Sequence, residues 1–119
     1  MSRDDAYVLD MLTAAKRVRG YAAGLTRAMF DASDRDQDAI VRRLEVIGEA
    51  ARQVSKAFQQ EHPEIPWPTI IGMRHRLAHD YRNVDFDVVW ETVQQKIPAL
   101  IVELERFVIP DTPERPLTG

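Results

Sequence analysis

The chain has 119 residues, enough for one domain with a true core, and its 45% hydrophobic and 29% charged content suits a folded domain rather than a disordered one. With no cysteine it has no disulfide scaffold, thiolate metal site or cysteine nucleophile. A net charge of −3, from 16 basic and 19 acidic residues, argues against a general salt-driven coat for nucleic acid, although a local positive patch remains compatible with it. No apolar run approaches the ~20 residues of a membrane span. The first residues, MSRDDAYVLD, hold no apolar signal core, so the expected compartment is the cytoplasm.

The apolar pattern is helical from end to end, with no period-two stretch and no internal repeat. The first stretch is expected over about 4–30. There Val8, Met11, Ala15, Val18, Ala22, Leu25 and Met29 alternate spacings of three and four, the pattern of a bundle seam. Ser2 or Asp4 is a candidate cap. The second stretch is expected over about 35–60, on Ile40, Leu44, Ile47, Ala51, Val54 and Phe58. Gly48 lies inside it, as for close approach of a neighbouring helix. EHPEIPWP then ends it, because three prolines in six residues cannot continue a helix.

A short third stretch runs over about 67–81. Pro68 suits its first turn, where a missing N–H costs nothing. Ile70, Arg74, Leu77 and Tyr81 share one stripe; Ile71, His75, Ala78 and His79 lie on a second face. Asp85 is an N-cap for the last stretch, about 86–108, whose seam is Phe86, Val89, Val93, Ile97, Leu100, Leu104 and Phe107. Pro98 inside it predicts a kink or local break. These elements predict an all-α, up-down four-helix bundle over residues 1–109, followed by a flexible proline-rich tail at 110–119. Leu12, Tyr21, Val41 and Val88 are left over from the seams as candidates for a dimer face.

The chemistry concentrates in GMRHRLAHDYRN, residues 72–83, which places Arg74, His75, Arg76, His79 and Arg82 within nine positions. Histidine, with a reference pKa near ~6.5, gives or takes a proton near neutral pH. Arginine neutralises charge developing on a phosphate. Together they suffice for attack of an RNA 2′-hydroxyl on its neighbouring phosphate without a metal or cofactor. Arg74 and His79 point roughly 140° apart on an ideal helix and lie ~7.5 Å apart along its axis. A joint site therefore requires a curling arginine, a distorted helix end, or two chains meeting across a two-fold axis. The last is preferred, so a homodimer is expected.

Structural roles account for the same residues. Arg74 can pair with Glu45 or Glu49, and His79 can be a satisfied core or interface histidine. His75 and His79 have the i, i+4 spacing of a metal pair but lack a convincing third ligand, so no metal site is assigned. His62, before Pro63, reads as solvent-exposed. A non-catalytic helical adaptor is the alternative to an enzyme.

Arg74-x4-His79-x-Tyr81 resembles the Arg-x4-His-x-Tyr motif of HepT-like toxins in the HEPN superfamily. The flanks LEVIGEAARQVS, PWPTIIGMRHRLAHDY and VDFDVVWETVQQKIPALI match as well, over about residues 4–108. The resemblance implies a metal-independent ribonuclease, the toxin of a type VII toxin–antitoxin pair, with Arg74 and His79 catalytic. His75, Arg76 and Arg82 would line the substrate groove. The implied partner is an MNT-type nucleotidyltransferase that neutralises the toxin by transferring AMP to Tyr81. Many HEPN nucleases carry Asn directly after the motif arginine, where this chain has His75.

Overall fold

The computed structural model describes residues 2–78 and 84–108, and among these every regular element is helical. The helices are α1 (Arg3–Ala22), α2 (Arg27–Asp31), α3 (Asp34–Gln53), α4 (Lys56–Glu61), α5 (Trp67–Ala78), α6 (Phe86–Glu91) and α7 (Ile97–Val108), with a π-helical turn at Thr92–Lys96 joining the last two. Helix α1 packs against α3 and α7, and α3 also packs against α5. No helix among the described residues is long and apolar enough to cross a membrane. The tail at 110–119 lies outside the described residues.

Local chemistry sets the helix starts. Ser2 caps α1 in a full capping box: its Oγ accepts from Asp5 N–H at 3.0 Å, and Asp5 Oδ2 accepts from Ser2 N–H at 3.3 Å. Asp85 caps α6 as its position predicts, with Oδ1 accepting from the Asp87 and Val88 amides.

The first two expected helices are each divided. The first ends at Ala22. Gly24 then adopts φ 80°, which a side-chain-bearing residue rarely does, and Thr26 caps the separate helix α2. The second ends at Gln53, and Ser55 opens α4 by accepting from Phe58 N–H at 3.1 Å. Ser55 also fixes this break to α1: its N–H and Oγ donate to the two carboxylate oxygens of Asp4, at 2.8 and 2.7 Å. Those hydrogen bonds, the side-chain one first, hold the Asp4 carboxyl below its ordinary pKa.

The seam residues converge on one core. Of the expected seam residues Val8, Met11, Val18, Ile40, Leu44, Ile47, Ile97 and Leu104 are buried, as is Leu77 of the α5 stripe; Met29 is instead 50% exposed, and its neighbour Phe30 is buried in its place, because α2 is a separate helix set off by the turn at Gly24. Leu12, expected at the surface, is buried as well, because the apolar face of α1 is wider than one seam where both α3 and α7 cover it. Gly48 is buried within α3. Phe30 anchors α2 to α6 through ring contacts with Phe86 (5.6 Å) and Trp90 (5.3 Å). Arg27 adds ion pairs to Asp31 and Asp87 at 2.8 and 2.7 Å.

The break expected at Pro98 takes the form of the π-helical turn. Ile97 N–H donates to Thr92 C=O, five residues back, just before the position where proline has no N–H to offer. Thr92, itself buried, donates its hydroxyl to Val88 C=O at 2.7 Å, so no polar side-chain atom of the turn is stranded there.

Candidate active site

Helix α5 carries the start of the Arg–His–Tyr segment, and its entry is rigid for identifiable reasons. Trp67 is buried, and its indole N–H donates to His62 C=O at 2.9 Å, folding the proline-rich loop under the helix. Ile70 N–H bonds Pro66 C=O at 3.0 Å, closing the first turn around Pro68. Ile70, Met73 and Leu77 are buried and hold one face of α5 in the core.

With that face fixed, His75 and Arg76 stand exposed on α5. Arg74 belongs to the same helix, between buried Met73 and exposed His75. The Arg74 side chain, and His79, Tyr81 and Arg82 altogether, lie outside the described residues.

The described chain resumes at Val84, and a groove of about 400 Å³ marks this junction. Leu77 from α5, Val84 just before α6 and Phe86 at its start line it. Asp38, Arg42 and Glu45 on α3 add polar groups. The segment holding His79 and Tyr81 is thus flanked in sequence on both sides by residues lining one concavity. Of the carboxylates weighed as partners for Arg74, Glu45 lines this groove. Glu49 accepts from Arg52 at 2.7 Å and from Gln53 at 3.4 Å.

His62 is not the exposed loop residue its neighbouring proline suggests. Its ring is half-buried between Phe58 (4.4 Å) and Phe107 (4.3 Å), and Nδ1 lies 3.5 Å from Glu64. Phe107 is 45 positions further along the chain, beyond the reach of any local pattern. Among the described residues no group of three or more His, Asp or Glu side chains is arranged to hold a metal ion.

Sequence reasoning also passed over a second groove, of about 400 Å³, between α1 and α3. Arg17 and Asp10 line it from α1, and Arg43 and Glu49 from α3. Tyr21, one turn beyond Arg17, has its phenol pKa lowered, chiefly by hydrogen bonding to Arg43 and then to Arg17. The Arg17–Tyr21 spacing of four was visible in the sequence; the approach of Arg43 depends on how α1 packs on α3.

Among the described residues the domain is all-helical, with His75 and Arg76 exposed on α5. Likeness to known proteins makes this specific. Residues 11–107 match the family model described as "Ribonuclease HepT-like", and the chain belongs to that family. It is 35% identical over 101 residues to the "Probable ribonuclease HepT" of Thermococcus cleftensis, covering 85% of this chain and 92% of that protein. A protein of Methanocaldococcus jannaschii named as a candidate RNase is 31% identical over 107 residues, covering 88% and 98%. No solved structure gives a significant match.

Proposed function

We propose that this member of the HepT-like ribonuclease family is the toxin of a toxin–antitoxin pair and cleaves RNA without a metal. The observation that carries the reading is the Arg74-x4-His79-x-Tyr81 segment beginning on α5, in a chain matched to the family over residues 11–107. In the proposed reaction the substrate 2′-oxygen attacks the adjacent phosphorus. The O2′–P bond forms and the P–O5′ bond breaks. The products are a 2′,3′-cyclic phosphate and a 5′-hydroxyl. His79 moves a proton, either from the 2′-hydroxyl or to the departing O5′, and Arg74 neutralises the non-bridging oxygens.

One histidine cannot easily serve both proton transfers at once. A second copy of the chain supplies the other in the proposed homodimer, which also reconciles the ~140° separation of Arg74 and His79 on an ideal helix. Exposed His75 and Arg76, with Arg82, line the approach for RNA. Control is assigned to an MNT-type nucleotidyltransferase that adds AMP to Tyr81. An adenylate beside an anion-binding site blocks RNA by bulk and by like charge.

The test is purified protein with end-labelled single-stranded RNA, with and without EDTA. Equal cleavage in both, leaving cyclic phosphate ends, supports the reading. RNA left intact in both, or cleavage abolished by EDTA, overturns it.

A further inference from the structure

A third groove, of about 450 Å³, lies between α5 and α7 and is lined by no residue of the Arg–His–Tyr motif. Helix α5 packs on α3 and α7 packs on α1, and the groove is the gap between α5 and α7. Pro66, Ile70 and Met73 line one side, and Ile97, Ala99 and Leu100 the other. Ile70, Met73, Ile97 and Leu100 are buried, while Thr69 and Ala99 are exposed. Val102, 55% exposed, extends the apolar surface of α7 three positions beyond Ala99.

The C-terminal end of α7 lies at one end of this groove. The His62 ring stands 4.3 Å from Phe107, which brings the loop leading into α5 beside the end of α7. The chain therefore leaves Val108 near that loop. The sequence that follows, IPDTPERPLTG, lies beyond the residues matched to the family. Its prolines, Pro110, Pro113 and Pro116, recur every three residues. A polyproline II strand completes a turn in three residues, so a strand of this sequence carries all three rings on one edge. From Pro110 to Pro116 it spans ~19 Å, at ~3.1 Å per residue. The wall of α7 from Val108 back to Ile97 spans ~17 Å, at ~1.5 Å per residue.

We propose that residues 110–117 dock in the groove between α5 and α7 of their own chain, as a polyproline II strand running back along α7. The proline edge covers the apolar lining. Thr112 comes level with Glu103, five positions before Val108. Glu103 lines the groove and is ion-paired with Arg106 at 3.2 Å, yet its buried Oε1 accepts no hydrogen bond among the described residues. The Thr112 amide and hydroxyl are donors for it. Glu114 lies within a turn of Lys96, an exposed cation of the groove with no ion pair among the described residues. A strand already stiffened by proline loses little conformational freedom on seating, so a contact of this size suffices to hold it.

The inference does not depend on RNA cleavage and is tested in the full chain without RNA. The chain has no native cysteine, so Thr118→Cys takes a nitroxide at a single place. Amide NMR signals of the isotope-enriched protein are compared with the nitroxide oxidised and reduced. The signals of Thr69, Met73 and Ala99 should lose most of their intensity in the oxidised state. Two changes added to this protein should restore them: Pro113→Gly/Pro116→Gly, which leaves residues 2–108 unaltered, and Ala99→Glu, which puts a charge at an exposed position of the apolar wall. Helical content by circular dichroism should stay the same in both.

A mixture of enriched chains without nitroxide and unenriched chains with it should show no loss at these signals. Full intensity at all three signals in the parent protein, or a loss spread evenly over every helix, overturns the docking. So does a loss that persists in either variant. A loss in the mixture as strong as within one chain overturns it too, because the strand in the groove then belongs to a second copy.

Discussion

Replacing Phe30 with alanine tests how the fold anchors the start of α6, which follows the proposed active-site segment. Phe30 is fully buried and is the main side chain by which the five-residue helix α2 grips the core. Its ring meets Phe86 edge-on at 5.6 Å and Trp90 at 5.3 Å, both in α6, which begins just after the segment holding His79 and Tyr81. Truncation exposes or voids about 120–140 Å² of ring surface, a transfer loss of about 3 kcal/mol at ~25 cal/mol per Å². The two ring pairs add about 1 kcal/mol, giving about 4 kcal/mol in all, within the range of about 3–5 kcal/mol for buried aromatic truncations. At ~1.5–2 kcal/mol per molar urea, the unfolding midpoint should fall by about 2–3 M with an unchanged slope. Urea titration followed by circular dichroism reads this directly, and Phe30→Leu should lose less than half as much. A loss below ~1 kcal/mol for Phe30→Ala would refute the assignment of α2 and α6 to one cluster.

Three further outcomes follow from the remaining chemistry. Ser55→Ala removes both the cap of α4 and a hydrogen bond to Asp4, so it should cost about 1 kcal/mol at neutral pH. Because Asp4 has its pKa depressed in the fold, its contribution is present above the ordinary carboxyl value of 3.8 and is lost as pH falls below it; an NMR titration of Ser55→Ala should show the Asp4 pKa moving up and the acid-side stability loss shrinking. Mixing inactive Arg74→Ala and His79→Ala chains should restore RNA cleavage if the site is shared across a dimer, whereas a cleaving monomer by light scattering contradicts the arrangement. Co-expression with the proposed partner, an MNT-type nucleotidyltransferase, should add whole AMP units to the intact mass, and Tyr81→Phe should remove them; neutralised toxicity with an unshifted mass points to inhibition by docking alone.

The helical class and the core were legible because the seam residues repeat at helical spacing, and Ile40, Leu44 and Ile47 are all buried as that spacing requires. The breaks at Gly24 and Ser55 were not. The rhythm runs on past them through Leu25 and Phe58, both packed against the core, and slips by one position only at Met29, which is exposed while Phe30 is buried. The local signs were a glycine free to take positive φ and a serine placed to cap, both weaker than the periodicity around them. His62 was misread because its ring partners include Phe107, which only the folded chain brings near. Tyr21 was half-legible: its spacing from Arg17 is local, but Arg43 comes from another helix. The Arg–His–Tyr segment stood out by composition, because no other stretch so concentrates arginine and histidine.

Metal-independent RNA cleavage by Arg74 and His79 is tested most directly by single-turnover kinetics. The cleavage rate of labelled RNA in EDTA is measured for the native sequence and for Arg74→Ala and His79→Ala, each checked for native helical content. Each variant should be slower by on the order of 10²–10³ or more, with the fold retained. Cleavage at near-native rate by either folded variant would contradict the assignment.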